Sequence, residues 1–326
     1  MNRRKILVVN RIAEAGLALL KDRPDVDWEV VMDTPLEDFR TKLKEAAAVT
    51  LGATRFGPAE SEAAPLLECV ARIGVGYDAV DVPTLTARKV PLMVAGIANS
   101  PSVAEHAMFL MLSLARRFKH YDTMVRTQPQ WAGRFADLPV DLYGKTVLIV
   151  GFGRIGMRTA RRCNAFDMNV LVYDPYVRGE TIVASGCKVA RTLEEGLPLA
   201  DFVSIHCPKN PETIGLFNAR TLGLMKRSAI LVNTARGGII DEAALHKALT
   251  SKQIAAAGLD VFEREPADPA NPLFKLDNVL LSPHMAGVTV ESSDRMAIAT
   301  IQNILDVFDG KPNPDNVVNR EVLGGR

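Results

Sequence analysis

Residues 145–156 constrain the fold of this chain more than any other stretch. The apolar run Thr146-Val-Leu-Ile-Val150 enters Gly151-Phe-Gly153-Arg154-Ile155-Gly156, and residues 157–166 then read as helix. A buried strand that turns through G-x-G-x-x-G into a helix opens a parallel βαβ unit. Each glycine has a steric task. Gly151 permits the tight turn, Gly153 lets backbone approach a pyrophosphate, and Gly156 lets the helix pack close on the strand. The helix N-terminus then presents unpaired N–H groups to the anion. Alone the pattern is weak, but Asn169-Val-Leu-Val-Tyr173 reads as the next strand, with Asp174 at its carboxyl end. That is near the roughly 20-residue spacing at which a carboxylate grips a ribose diol. The pair points to a dinucleotide. A carboxylate there accepts from both ribose hydroxyls and repels a 2′-phosphate, so NAD is expected over NADP, with Arg178 nearby as a partial offset.

Short apolar runs alternate with amphipathic helices on both sides of this unit. Strands are expected at 5–9, 28–31, 48–51, 68–73 and 90–94, with helices at 13–21, 36–46 and 80–88, which completes a first parallel sheet. A long apolar helix at 101–117, capped by Ser100 or Ser102, leads through a polar stretch at 118–142 to a second sheet. Its strands are expected at 146–150, 169–173, 201–205, 229–232, 255–259 and 279–281, with a helix at 241–250. The last helix, 290–308, is long enough to return to the first domain. The expected fold class is therefore α/β with two doubly wound parallel sheets. A Rossmann cofactor domain (100–287) is inserted into a flavodoxin-like substrate domain (1–99 and 288–326).

Composition narrows the partners. With 48% hydrophobic residues the chain can fill two cores, and a net charge of +1 supplies no basic field for nucleic acid. No run approaches the roughly 20 apolar residues of a membrane span, and the apolar run at 6–9 is too short for a signal sequence. A soluble, cytoplasmic protein is expected. Cys69, Cys163, Cys187 and Cys207 are widely spaced with no C-x-x-C pair, so free buried thiols are expected and no metal site.

Ligands of open α/β sheets sit beyond the carboxyl ends of strands. Four such places carry chemistry. Gly74-Val75-Gly76 puts bare backbone N–H groups after a strand of the first sheet, where a carboxylate can be held as in an anion nest. Arg236 directly follows a buried strand among small residues, and its planar guanidinium matches a carboxylate. Asp260 ends another strand, with Glu265 shortly after it. Of the five histidines, His120 and His246 lie on polar helical stretches, His106 reads as a hydrogen-bonded structural residue, and His206 precedes Cys207-Pro208 in a loop near the cofactor. His284 follows a strand in a small-residue loop and is the candidate to give and take a proton, with Glu265 as the carboxylate that orients it.

The order G-F-G-R-I-G, H-C-P, N-T-A-R-G, L-D-V-F-E-R-E-P and S-P-H-M-A-G resembles that of the D-isomer-specific 2-hydroxyacid dehydrogenases. The likeness is strong from Gly74 onward and one of layout before it. It implies Arg236, Glu265 and His284 as the catalytic set, and Asp174 on the adenosine ribose. Gly151, Gly153, Arg154, Ile155, Gly156, Cys207, Pro208, Thr234, Ala235 and Gly287 would line the cofactor, and Asp260 would lie near the nicotinamide carboxamide. Val75 and Gly76 would give backbone N–H groups to the substrate carboxylate. Arg236 would hold a 2-oxo acid, protonated His284 would supply the proton and Glu265 would stabilise the imidazolium, while domain closure excludes water. The family also forms homodimers through the cofactor domain, using the long helix that here starts near Pro101.

Glu265, in place of glutamine, argues against the formate dehydrogenase branch. Phosphoglycerate dehydrogenases share the layout but usually carry an arginine where Gly52 stands here. Arg55 lies three residues on, Arg72 is retained in the next strand, and no added regulatory domain is expected. A small substrate such as glyoxylate or hydroxypyruvate is favoured over 3-phosphoglycerate. An NAD-sensing protein of the corepressor kind, which binds without turning over, is the alternative of another class.

Overall fold

The computed structural model describes residues 3–32, 35–127 and 131–325. The chain divides into two compact units, Met1–Asn99 with Val288–Arg326, and Ser100–Gly287. In the first unit the elements run β1 (Arg4–Val9), α1 (Glu14–Lys21), β2 (Val26–Val31), α2 (Leu36–Leu43), β3 (Ala46–Leu51), α3 (Pro58–Glu62), β4 (Cys69–Arg72), α4 (Val82–Ala87) and β5 (Leu92–Met93). The strands are parallel in the order β2-β1-β3-β4-β5, the doubly wound order of flavodoxin. Both faces of the sheet are covered. Leu7 and Val9 of β1 pack with Phe39, Leu43 and Leu85, while Ile6 and Val8 pack with Leu20, Ile301, Ile304 and Phe308. This is why β1 reads as a continuous apolar run instead of an alternating one.

In the second unit the chain forms α5 (Ser100–Ala115), α6 (Phe118–Thr127), β6 (Thr146–Val150), α7 (Arg154–Ala165), β7 (Asn169–Tyr173), α8 (Gly179–Ala184) and β8 (Lys188–Val189). It continues as α9 (Leu193–Gly196), β9 (Phe202–Ile205), α10 (Ala219–Gly223), β10 (Ile230–Asn233), α11 (Glu242–Thr250), β11 (Ala256–Leu259) and β12 (Val279–Leu281). The final helix α12 (Val290–Phe308) belongs to the first unit and lies along α1. There Gly16 is needed for close approach, since a Cβ on it would stand 2.7 Å from the Ala297 backbone. The seven parallel strands of the second unit run β12-β11-β10-β9-β6-β7-β8. Strand order reverses between β6 and β9, so the carboxyl ends of these two strands flank the crevice in which such sheets bind ligands.

One local expectation is corrected, and two elements were not anticipated. The helix expected at 36–46 ends at Leu43, and Ala46 and Ala48, each 0% exposed, belong to β3. Alanine favours helix locally, but burial at the centre of the sheet overrides that preference. The stretch read as polar at 118–142 begins with α6, which buries none of its residues; positions 128–130 lie outside the described residues. The two-residue edge strand β8 is too short to leave a pattern. All four cysteines are free, and burial pushes the Cys163 thiol up to about 12 and that of Cys207 to about 11. Among the described residues no group of three metal-binding side chains occurs, and no helix is long and apolar enough to cross a membrane.

Candidate active site

The turn from β6 into α7 is built by contact. Gly151 has φ +93°, and a Cβ there would lie 2.6 Å from Cys207 N; one on Gly156 would lie 2.0 Å from the Gly151 carbonyl oxygen. Strand, helix and the loop after β9 can meet only without those carbons. Gly153 has nothing within 4 Å of its missing Cβ. It is the N-cap of α7 and no side chain caps the helix, so the helix N-terminus stands beside this open space. Asp174 stands beside this turn, its carboxylate accepting from Phe152 N at 2.7 Å, Tyr176 N at 2.9 Å and Val177 N at 3.1 Å. Arg178 pairs with Glu180 on the surface, at 3.4 Å.

Two buried polar atoms on the same crest have no protein partner, His206 Nδ1 after β9 and Thr234 Oγ1 after β10. Buried polar groups are rarely left unpaired, so these atoms suit the crevice to a polar ligand. The other His206 nitrogen, Nε2, meets Ser204 Oγ at 2.8 Å, and burial lowers the ring pKa to about 3, which leaves it neutral. Open space over Gly153, the anchored Asp174 and these orphaned atoms together fit a dinucleotide. Cys207, Pro208, Thr234 and Ala235 follow β9 and β10, and Arg154 and Ile155 open α7, so these positions all lie at carboxyl ends of the sheet.

His284 lies beyond β12, half-exposed at 49%, with its Nδ1 2.6 Å from Glu265 Oε2. The other Glu265 oxygen accepts from Phe262 N at 3.0 Å, so the carboxylate is held from both sides. His284 has φ +51°, a left-handed conformation that costs a non-glycine residue about 1–3 kcal/mol and persists only where the surroundings impose it. The imposing group is Asp260. Its carbonyl accepts His284 N at 2.7 Å, and its 1%-exposed carboxylate accepts from Ser282 Oγ, Met285 N and Ala286 N. Asp260 therefore acts on its own chain as a clamp, a role the sequence does not display. Gly287 closes the same loop at the end of the unit.

Arg236 is aimed by Asn233, whose side chain accepts from Ala235 N at 3.0 Å and donates to the Arg236 carbonyl at 2.9 Å. The guanidinium donates to the Ala235 carbonyl at 2.7 Å. Gly237, next in the chain, touches the Glu265 loop, since a Cβ on it would fall 1.6 Å from the Phe262 carbonyl oxygen. In the first unit, Gly74 has φ +119°, and the 74–76 turn is pinned by Arg72, which donates to the carbonyls of Gly76 at 2.7 Å and Leu51 at 3.0 Å. Arg55 is exposed. Val75 and Gly76 are only partly buried.

Sequence reasoning did not find Ser282, Asn233 or Gly237. Each acts through a backbone group or a neighbour distant in sequence, and only an unexplained small or polar residue beside a candidate could have marked it.

Residues 108–286 match the profile of the D-isomer specific 2-hydroxyacid dehydrogenase NAD binding domain. The chain is 38% identical over 332 residues to a glyoxylate reductase of Thermofilum pendens, covering 99% of this chain and 96% of that one. It is 38% identical over 325 residues to a D-3-phosphoglycerate dehydrogenase of Mycobacterium tuberculosis, covering 97% of this chain but only 60% of that protein's length. The structure superposes with a TM-score of 0.82 on an NADPH-dependent glyoxylate/hydroxypyruvate reductase from Sinorhizobium meliloti solved with NADP and malonate, at 29% identity over 97% of this chain and 98% of that one. Two parallel sheets in these strand orders, with these motifs at their carboxyl ends and this breadth of likeness, place the chain in the D-isomer-specific 2-hydroxyacid dehydrogenase family.

Proposed function

We propose that the protein interconverts a 2-oxo acid and a D-2-hydroxy acid with NAD, using His284 as proton donor and acceptor. The observation that carries this reading is the 2.6 Å contact between His284 Nδ1 and Glu265 in a left-handed loop, which leaves Nε2 as the nitrogen that meets substrate. When bound, the nicotinamide supplies or accepts the hydride at the substrate's C2. In reduction negative charge grows on the former carbonyl oxygen, and protonated His284 transfers its Nε2 proton there to complete the hydroxyl. Glu265 holds the ring and balances the imidazolium. In oxidation the neutral ring takes the hydroxyl proton. Arg236 binds the carboxylate or the carbonyl oxygen, and the backbone N–H groups of Val75 and Gly76 bind the carboxylate.

A small unphosphorylated acid such as glyoxylate or hydroxypyruvate is the favoured substrate. Gly52 supplies no cation after β3, and Arg72 is committed to the carbonyls of Leu51 and Gly76, which supports this choice over a phosphorylated acid. The test is NADH oxidation with a panel of glyoxylate, hydroxypyruvate, pyruvate and 3-phosphohydroxypyruvate. Fastest turnover of the phosphorylated acid overturns the substrate class, and no turnover of any member overturns the enzymatic reading.

Asp174 favours NAD, since its carboxylate opposes a 2′-phosphate. Asp174→Ala is expected to weaken NADH about tenfold, the loss of one or two hydrogen bonds to a charged group, while NADPH improves or stays level. Steady-state KM values for both cofactors check this. The partner we propose is a second copy of the chain, docked through the cofactor unit. Phe109, Phe118, Val125, Phe135, Leu138, Val140 and Tyr143 expose a concentration of apolar surface there, which supports such an interface.

A further inference from the structure

The clamp behind His284 extends into helix α5. Asp260 Oδ1 accepts from Ser282 Oγ at 2.6 Å and Met285 N at 2.9 Å, and Oδ2 accepts from Ala286 N at 2.9 Å. Ser282 Oγ also lies 2.8 Å from His106 Nε2. A hydroxyl has one proton to donate. Both Asp260 oxygens already accept from backbone N–H groups, so the Ser282 proton goes to Oδ1 and Ser282 must accept from His106. This assigns the Nε2–H tautomer to His106. Burial holds the His106 pKa below its usual range against the opposing pull of Asp260, so the ring is neutral near pH 7 and has a single N–H to give. Three donors and acceptors in series, His106 to Ser282 to Asp260, end on the two backbone N–H groups that follow His284. Such chains polarise one another, and removing one member loosens the rest.

We propose that His106 is a positioning residue for the reaction, an obligate donor that holds Ser282 and Asp260 in the arrangement that presents His284. The proposal rests on the reading of His284 as the proton donor. His106 does not touch the reacting atoms. Its ring packs on Phe109, with centroids 5.6 Å apart, and an apolar side chain fills the same space, so what histidine adds is the N–H. The strained φ of His284 is imposed from this side, and small errors in placing a catalytic group are costly in rate.

The test compares His106→Leu, His106→Gln, Ser282→Ala and the Leu/Ala double variant in the full-length protein, reading kcat, KM, NADH dissociation and Tm. His106→Leu is expected to lower kcat about tenfold with KM and NADH affinity within about twofold, since the loss falls on the transition state. His106→Gln places an amide N–H near the position of Nε2 and is expected to restore most of the rate. The double variant is expected to be no slower than Ser282→Ala alone, because both changes break one chain. Ring-labelled 15N spectra should show His106 protonated at Nε2 and bare at Nδ1, a readout that needs no turnover. Parent rates in His106→Leu, a glutamine variant as slow as leucine, additive losses, or an Nδ1–H tautomer would each overturn the proposal. If the leucine variant does not fold, the glutamine and Ser282→Ala variants and the spectra decide the matter. Parent rates in His284→Asn would instead overturn the reading of His284 itself.

Discussion

His284→Asn is expected to lower kcat for 2-oxo acid reduction about 10³-fold while NADH affinity changes little, within the 10²–10⁴-fold usually supplied by a positioned acid or base. Asparagine isolates the proton from the fold. Its amide sits near the place of Nδ1 and can still donate to Glu265, and asparagine tolerates the left-handed backbone that His284 adopts at φ +51°. Alanine would add strain, and the result would mix stability with chemistry. Glu265→Gln should cost less, since the ring keeps a hydrogen-bonding partner and loses only the countercharge. The two losses should not add, because histidine and carboxylate act as one unit. Single-turnover measurements of NADH oxidation with saturating 2-oxo acid separate this from product release. A His284→Asn rate within tenfold of the parent would move the proton donor elsewhere.

The glycine turn and the sheets were legible because each leaves a local pattern, while Glu265 and His284, 19 residues apart, were paired through the order of motifs shared with the resembled family. A strand buried on both faces must be apolar throughout, as Thr146–Val150 and Phe202–Ile205 are, and such runs mark strands whatever surrounds them. Gly151 and Gly156 could be read because the spacing of the motif encodes a contact between its own members. The rest of the site is made by contacts between segments far apart in sequence. Asp260 read as a carboxylate at a strand end, placed by the resemblance near the nicotinamide carboxamide, yet its partners are Ser282, Met285 and Ala286, a strand away. His106 read as a hydrogen-bonded structural histidine, but nothing in the run Ala104-Glu105-His106-Ala107 says that the bond is to Ser282. The helix that seemed to run to residue 46 failed for a similar reason. Whether Ala46 continues a helix or enters β3 depends on Lys5, its partner in β1, which local propensity cannot see.

Gly237→Ala is expected to be the most disruptive single methyl in the second unit. The added carbon would stand 1.6 Å from the Phe262 carbonyl oxygen, 2.0 Å from its carbonyl carbon and 2.7 Å from Glu263 N. All three are backbone atoms, so no side-chain rotation relieves the clash, and one of the two loops must move. The Arg236 loop is tied down by Asn233, while the Phe262 ring is fixed against Phe274 at 5.4 Å, so the strain reaches Glu265 through its bond to Phe262 N. Overpacking of this kind costs about 1–3 kcal/mol, which in a unit of this size lowers Tm by roughly 3–10 °C. Because Arg236 and Glu265 flank the clash, kcat should fall about 10²-fold as well, the cost of about 1 Å of misplacement. Gly153→Ala is the control. Its Cβ meets nothing within 4 Å, so Tm should hold, and the damage should appear as NADH affinity weakened about tenfold where backbone meets pyrophosphate. Calorimetry and NADH titration on both variants separate a glycine kept for packing between loops from one kept for a ligand. Equal loss of Tm in the two would contradict that division of labour.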